Sequence, residues 1–158
     1  MDKLELKIPP VVVGALAALL MWALGAVAPS GALTIPGTTW LGVGLVCLGA
    51  AIMAVGVLTF RASRTTIDPR VPGKATQLVS HGIYRLSRNP MYVGLATILL
   101  GWAIQLSNVY ALLTLPLFVL YMSRFQIQPE ERTMQTLFGD EYTAYTNNVR
   151  RSVSYTHL

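Results

Sequence analysis

Residues 89–123 read NPMYVGLATILLGWAIQLSNVYALLTLPLFVLYMS and hold two apolar runs, 91–106 and 109–123, separated only by Ser107 and Asn108. Both runs are close to the lower limit of about 17 residues for a helix that crosses a bilayer. Because two residues leave no room for a long connection, the pattern predicts a tight antiparallel hairpin of two apolar helices, with little tilt or without full crossing.

Two further apolar runs, 11–28 and 41–60, contain no charged residue and have about the 20 residues that a membrane-spanning helix needs. The chain has 158 residues, of which 53% are hydrophobic and 12% charged, against about 25% charged in soluble domains. We therefore predict an all-α integral membrane protein, a single domain over 1–158. It should have four transmembrane helices, at about 11–28, 41–60, 91–106 and 109–125, and a C-terminal cytoplasmic helical segment.

Positive charge is confined to the N-terminal tail, the segment 61–88 and the region from Arg124 onward. Cations on one side of every span predict that both termini are cytoplasmic, in the plasma membrane if the source is prokaryotic. Trp40 and Tyr110 should then lie at the outer interface. The positively charged residues behind the net charge of +5 lie at helix ends, where they would face anionic headgroups. We therefore expect the lipid bilayer, and no nucleic acid, as the partner.

The run Ala26-Val27-Ala28 resembles a signal-peptidase site, but the apolar run before it is longer than the usual 7 to 15 residues. We therefore expect the first helix to remain uncleaved. Cys47 is the only cysteine, which excludes an internal disulfide, and we interpret it as a small buried apolar residue. No residues are spaced like a metal site. Gly42, Gly44, Gly49 and Gly56 suit either packing within the chain or dimerisation, and the oligomeric state stays open.

Polar and aromatic residues precede the hairpin in the segment 80–94, SHGIYRLSRNPMYVG. Asn89 is a favoured N-cap and Pro90 suits the first helical position, so a helix should start here with its N–H groups facing the cytoplasm. That end favours an anion, which Arg88 and Asn89 would meet, with Tyr92 supplying an aromatic face. Purely structural roles stay open: Asn89 as a cap, Tyr92 as an interface anchor and Arg88 as a topology signal.

A second polar cluster follows the fourth apolar run and begins at Pro129, Glu130 and Glu131. Proline followed by acids is also typical of an ordinary helix N-terminus. We expect Gly139 to end that helix. Beyond it, Tyr142, Tyr145 and Val149 share one stripe, which predicts an amphipathic helix that covers the site.

Together the two clusters resemble the isoprenylcysteine carboxyl methyltransferase family and its phospholipid methyltransferase relatives, over about residues 76–151. The resemblance rests on Gly82-Ile83-Tyr84, on 88–94 (RNPMYVG), on Glu130-Glu131, and on Phe138-Gly139, Tyr142 and Tyr145. It implies an integral-membrane enzyme that transfers a methyl group from S-adenosylmethionine to a lipophilic acceptor. The acceptor would be a protein-S-isoprenylcysteine carboxylate or, alternatively, the amine of a phosphatidylethanolamine-type phospholipid.

The resemblance also implies which residues form the site, within 76–94 and 126–151. The cofactor-binding residues would be Gln77, Leu78, Val79, His81, Gly82, Tyr84, Asn89, Pro90, Met91, Tyr92 and Glu130. The catalytic residues would be Glu130, Glu131 and Arg88, and a carboxylate acceptor would need no general base. Asn89 replaces the family's frequent histidine, and Thr76 stands where prenylcysteine enzymes have histidine.

Substrate binding is assigned to Arg124 and Gln126. Prenylcysteine enzymes carry an arginine four residues before the first glutamate of the pair, and this chain has Gln126 there, with Arg124 two residues earlier. A lost charge-assisted partner weakens the expectation of a carboxylate substrate.

A non-enzyme alternative is a small four-helix membrane transporter or assembly factor. Transporters normally keep an ionisable residue within a span. The first three apolar runs contain none, so the enzyme interpretation is favoured.

Overall fold

The computed structural model describes residues 5–32, 36–63 and 77–151. They form five α-helices: α1 (Pro10–Val27), α2 (Thr38–Ala62), α3 (Pro90–Leu106), α4 (Val109–Met122) and α5 (Gln128–Asn148). Short 3₁₀ turns lie at Pro29–Gly31 and Gly82–Arg85. Over these ranges no β-strand is present, only an isolated bridge between Ala32 and Asn108. Of the loop predicted at 64–80, the part 64–76 lies outside the described residues.

Three helices in the described part of the chain are long and apolar enough to cross a membrane: α1, α2 and the long helix that contains α4. The helix α3 is apolar and has 17 residues. Large apolar side chains cover the outer surface, among them Leu58 at 64% exposure and Leu117 at 63%. An apolar exterior of this extent is stable only against lipid, so the chain is an integral membrane protein.

Glycines set the distance between α2 and α3. A Cβ atom placed on Gly49 would lie 2.5 Å from the carbonyl oxygen of Gly94, and one on Gly101 would lie 2.6 Å from that of Gly42. Contacts this short with backbone atoms leave no room for a side chain, so the helices touch backbone to backbone. Gly44, in contrast, faces open space. Of the two roles left open for the glycines, packing within the chain is the one observed at Gly42 and Gly49.

The buried core lies where α1, α3 and α4 meet. Its centre is formed by Met21, Leu99, Ala103 and Phe118, each at most 4% exposed. The indole N–H of Trp102 donates to the backbone oxygen of Ala18 at 3.1 Å, which ties α3 to α1. The expectation that Cys47 is buried is wrong: it is exposed, because it does not lie on the α2 face that packs against α3.

The hairpin turn between α3 and α4 matches its prediction. Ser107 adopts a left-handed conformation (φ 47°) that ends α3. The side-chain oxygen of Asn108 accepts from the N–H of Tyr110 at 2.9 Å and caps α4, while its amide donates to the oxygen of Ala28 at 3.0 Å. The start of α1, the end of α2 and the start of α3 all lie at the opposite end of the bundle.

The fourth apolar helix does not stop before the second polar cluster. It passes through a π-helical turn, Ser123–Ile127, directly into α5. Pro129 with its two acids therefore follows a helix rather than a loop. Gly139, expected to end the helix, adopts φ 47° and ψ −117°, outside helical geometry, so the first helical part of α5 ends there and a second part follows beyond the kink.

Candidate active site

A cavity of about 340 Å³ lies at this opposite end of the bundle, between the end of α2 and the starts of α1, α3 and α5. Its volume falls within the range of about 300–1,000 Å³ that is usual for small-molecule sites. Apolar side chains form most of its lining, among them Met53 and Val57 of α2. Arg88, Glu130 and Glu131 also line it, so a mostly apolar cavity carries a few charged side chains.

One hydrogen bond joins the two predicted clusters across the cavity wall. The hydroxyl of Tyr92, in the first turn of α3, donates to Oε1 of Glu130, in the first turn of α5, at 2.5 Å. Both side chains also line the cavity. The structure thus brings together two residues that are 38 positions apart in sequence, as the spacing of the clusters predicted.

Glu131 is the centre of an ion cluster beside that contact. Its Oε1 lies 3.0 Å from Nη1 of Arg88 and accepts from Nε of Arg151 at 2.9 Å. A second contact joins Nη2 of Arg151 to Oε2. The Glu131 carboxylate raises the pKa of Arg151, which keeps that guanidinium charged. Because the Arg88 and Glu131 side chains are only 15% and 14% exposed, the pair is weakly screened by solvent.

The C-terminal residues that carry Arg151 lie against the segment before α3. The N–H of Arg88 donates to the oxygen of Arg150 at 3.0 Å, and the side-chain amide of Asn89 donates to that of Arg151 at 2.9 Å. Asn89 was expected to cap α3, but it makes no side-chain cap bond there. Its amide is instead committed to the C-terminal segment, although α3 does begin at Pro90.

Tyrosines form the aromatic part of the site. Tyr84 is 5% exposed, and its hydroxyl has no hydrogen-bond partner among the described residues. Burial raises the pKa of Tyr84, so it presents a neutral O–H group to the cavity. Tyr145 donates from its hydroxyl to the backbone oxygen of Tyr84 at 2.7 Å. This bond, together with burial of Tyr142, places the predicted covering helix over the cavity.

Most predicted cofactor residues line the cavity, together with the three predicted catalytic residues. These are Gln77, Leu78, Val79, Tyr84, Arg88, Asn89, Pro90, Met91, Tyr92, Glu130 and Glu131. His81 and Gly82 do not line it. His81 is exposed, with Nε2 3.5 Å from Oγ of Ser63, and Gly82 adopts φ 59° against Thr59. Thr76 lies outside the described residues.

The structure does not bring Arg124 and Gln126 into the cavity. Arg124 pairs with Glu5 at 3.3 Å, and the amide of Gln126 donates to the oxygen of Ile8 at 2.7 Å. Both side chains face the N-terminal segment instead. Arg124 pairs with an acid of that segment and Gln126 is buried against it, so neither side chain reaches the cavity.

Sequence reasoning missed the apolar wall, formed in part by Val11, Met53, Phe60 and Met134. Apolar residues on a membrane helix resemble one another in sequence whether they face lipid, core or cavity. Only Met134 carried a usable signal, because it lies one helical turn after Glu130 and therefore on the same face.

The donor set fits an organic cation with an aromatic part. Burial raises the pKa of the Glu130 carboxyl to about 8, and a cation bound beside it in the cavity would favour its negatively charged form. The faces of Tyr84 and Tyr92 offer cation–π contacts. The Tyr84 hydroxyl is a buried polar atom that still needs a partner, and buried polar groups are almost always satisfied.

Comparison with known proteins gives a family for this arrangement. A family model described as phospholipid methyltransferase matches residues 38–141. This range runs from the start of α2 to the kinked part of α5 and includes the whole contact between Tyr92 and Glu130.

The relatives that carry a descriptive name are methyltransferases as well. A probable protein-S-isoprenylcysteine O-methyltransferase of Oryza sativa is 28% identical over 74% of this chain and 61% of its own length. A protein-S-isoprenylcysteine O-methyltransferase of Schizosaccharomyces pombe is 30% identical over 67% of this chain and 45% of its own. An uncharacterised Haemophilus influenzae protein is 44% identical over 39% of the chain and 97% of its own length. The chain thus spans about half the length of the named relatives.

Proposed function

Because the chain belongs to the phospholipid methyltransferase family, we propose that it is an integral-membrane enzyme that transfers a methyl group from S-adenosylmethionine to a lipophilic acceptor. The observation that supports this most directly is the 2.5 Å contact of Tyr92 with Glu130. It closes one wall of a mostly apolar cavity that carries a few charged side chains. A polar donor and a lipid acceptor together need both kinds of lining.

The charged and aromatic residues of the cavity would hold the methyl donor. S-adenosylmethionine supplies, when bound, a methyl group activated by a positively charged sulfonium. Glu130 and the faces of Tyr84 and Tyr92 offset that positive charge. The Tyr84 hydroxyl, without a partner among the described residues, offers a hydrogen bond to the nucleoside. Residues 77–79 supply the remaining wall.

The ion cluster of Arg88, Glu131 and Arg151 acts as a support rather than as a reactant. It fixes the start of α3 against α5 and the C-terminal segment, and so keeps Tyr92 and Glu130 in place. Fixed positions matter because alignment of two reactants contributes several kcal/mol to a group transfer. The same three side chains also line an open polar groove beside the cavity, together with Gln128 and Gln135, so the cluster lies between the groove and the cavity.

Glu130 is also the better candidate for a general base, should the acceptor be an amine. Its carboxylate has the Tyr92 hydroxyl as a partner, whereas Glu131 is engaged by two arginines. A general base works best when its pKa lies near the working pH, and burial raises the pKa of Glu130 to about 8. A carboxylate acceptor would need no base at this position.

In the membrane we propose four spans, with both termini and the cavity on the cytoplasmic side. Arg61 at the end of α2 and Arg88 before α3 lie at the cavity end of the bundle, and Trp40, 82% exposed, at the other. This arrangement satisfies the distribution of positive charge. The donor then enters from the cytoplasm and the acceptor from the bilayer.

Two acceptor classes remain for the site. The named relatives methylate, by their names, a protein-S-isoprenylcysteine, which favours a lipophilic carboxylate. Arg124 and Gln126 lie outside the cavity, so Arg124 does not supply the positive charge that a carboxylate acceptor was expected to meet. This favours the alternative acceptor, a phospholipid amine. Both reactions transfer a methyl group to an acceptor that carries a lipid, so one experiment distinguishes them.

The test uses membranes that contain the protein and S-adenosylmethionine labelled in its methyl group. We expect label in the organic extract for a phospholipid acceptor or in the protein fraction for a prenylated protein, and about tenfold less label with a Glu130→Gln variant present at the same level. Alkali releases the label from a methyl ester and leaves it on a methylated amine. No label in any lipid or protein fraction, from membranes in which the protein is folded, would contradict the proposed function.

A further inference from the structure

An N-terminal strap, residues 5–8, crosses the π turn that precedes Glu130. The N–H of Leu6 donates to the backbone oxygen of Phe125 at 3.1 Å, and the amide of Gln126 donates to the oxygen of Ile8 at 2.7 Å. Glu5 pairs with Arg132 at 2.7 Å, and its side chain is only 3% exposed. The strap therefore contacts the π turn through both backbone and side chains.

The π turn changes which residues of α5 face the cavity. At 100° per residue, an unbroken α-helix would place Pro129 about 20° from Met122 on the buried stripe of α4, and Glu130 about 80° away. In the turn the N–H of Gln128 donates to the oxygen of Ser123, five residues back. This bond accommodates one extra residue. The stripe then continues through Glu130 and Met134, and both line the cavity.

Pro129 explains why the strap docks at this place. Proline has no N–H, so the oxygen of Phe125 loses the donor that an α-helix would supply from position 129. Leu6 donates to that same oxygen. The strap thus stabilises the one carbonyl that the proline leaves without its usual partner. Gln126, 1% exposed, adds a second bond one residue further along.

We infer that the N-terminal strap is a positioning element, which holds the π turn in the register that directs Glu130 into the cavity. Glu5, Leu6 and Gln126 then act on methyl transfer through Glu130 without touching either substrate. The inference rests on the proposed function, because it assigns Glu130 to the sulfonium charge of the donor. It also gives a role to Gln126, which the sequence had suggested as a substrate-binding residue.

Pro129→Ala tests this inference directly. Alanine restores the N–H at position 129 and favours the ordinary α-helical register by its helix propensity. We expect an unchanged or raised midpoint of thermal unfolding together with weaker binding of S-adenosylmethionine, by about tenfold. S-adenosylhomocysteine lacks the positive charge, so its affinity should change less than about twofold. A merely structural role would weaken both ligands equally.

Glu5→Ala is the second variant, and Lys7→Ala, exposed on the same strap, is its matched control. Calorimetry on detergent-purified protein with each of the two nucleosides gives the ratio of affinities. The inference predicts that Glu5→Ala and Pro129→Ala lower this ratio while Lys7→Ala leaves it at the wild-type value. An unchanged ratio in both folded variants overturns the inference and leaves the proposed function intact. A wild-type protein that binds neither nucleoside overturns both.

Discussion

The Tyr92 hydroxyl lies 2.5 Å from Oε1 of Glu130, so the first turn of α3 and the first turn of α5 share one hydrogen bond at the wall of the cavity. An O–H donor to a carboxylate forms a shorter and stronger bond than a neutral pair. The Tyr92 ring and the Glu130 charge are therefore held at fixed positions relative to each other. The hydroxyl of Tyr92 and the charge of Glu130 can therefore be tested by separate substitutions.

The charge is tested by Glu130→Gln. Glutamine keeps an acceptor for the Tyr92 hydroxyl but removes the negative charge from the cavity. We expect the affinity for S-adenosylmethionine to fall by about tenfold or more, corresponding to ~1.4 kcal/mol, and that for S-adenosylhomocysteine to change little. Calorimetry with both nucleosides measures this. Equal affinities of wild type and variant for the charged nucleoside would contradict the role of Glu130.

The hydroxyl is tested by Tyr92→Phe, which keeps the aromatic face. Removal of the donor leaves the partly buried carboxylate of Glu130 without this partner, at a cost of about 1–3 kcal/mol. We expect a lower unfolding midpoint and slower methyl transfer. Both effects of Tyr92→Phe should be smaller in the Glu130→Gln background than in the wild-type background. A double-mutant cycle measures the difference. Additive effects would show that the two side chains do not act as a pair.

Glu131→Gln should act mainly on stability. The substitution removes the carboxylate that pairs with Arg88 and Arg151 and leaves the Arg88 guanidinium, 15% exposed, without its ion partner. We expect the free energy of unfolding to fall by about 1–3 kcal/mol, mostly from Arg88, because Arg151 is 40% exposed and screened by solvent. Denaturant unfolding in detergent measures this. Asp140→Asn, an exposed change on the same helix, should have no such effect.

The sequence predicted the helices because apolar runs of the right length have few alternatives in a membrane. It also predicted that Arg88, Tyr92 and the Glu130-Glu131 pair would meet, since a tight hairpin returns the chain to the side it left. It did not predict the π turn, because Pro129 with two following acids is equally typical of a helix that begins there. It also did not predict that Arg124 and Gln126 would contact the N-terminal segment, because these contacts join residues 119 and 118 positions apart. The partner of Glu131 at Arg151 depends on a tertiary contact that no local pattern encodes.

The glycine contacts between α2 and α3 give a prediction about packing. A Cβ atom on Gly94 would lie 2.7 Å from the backbone oxygen of Gly49 and 3.0 Å from the N of Met53. Backbone atoms cannot move aside as a flexible side chain can, so Gly94→Ala must separate the helices, at a cost of about 1–3 kcal/mol. We expect lower stability and reduced donor binding, because α3 carries Tyr92. Thermal unfolding and calorimetry measure both.

Gly44→Ala is the matched control for that prediction. Its added Cβ would meet no atom within 4 Å among the described residues, and alanine favours a helix over glycine by about 0.5–1 kcal/mol. The variant should therefore be at least as stable as wild type. Loss of stability at Gly44 as large as at Gly94 would show that the cost arises from something other than the contact between α2 and α3.

The last prediction concerns pH and the N-terminal strap. Hydrogen bonds and charge from Arg132 and Arg124 lower the pKa of Glu5 below its ordinary value of 4.5. A carboxylate with a lowered pKa stabilises the folded state fully above pH 4.5, and this contribution is lost as the pH falls through the lowered pKa. Glu5→Gln lacks the contribution at every pH. The unfolding midpoint of wild type should therefore exceed that of Glu5→Gln near neutral pH and approach it in acid. Glu141→Gln, exposed on α5, controls for the other carboxyl groups, and a gap between wild type and Glu5→Gln that persists in acid would show that the ion pairs do not hold the strap.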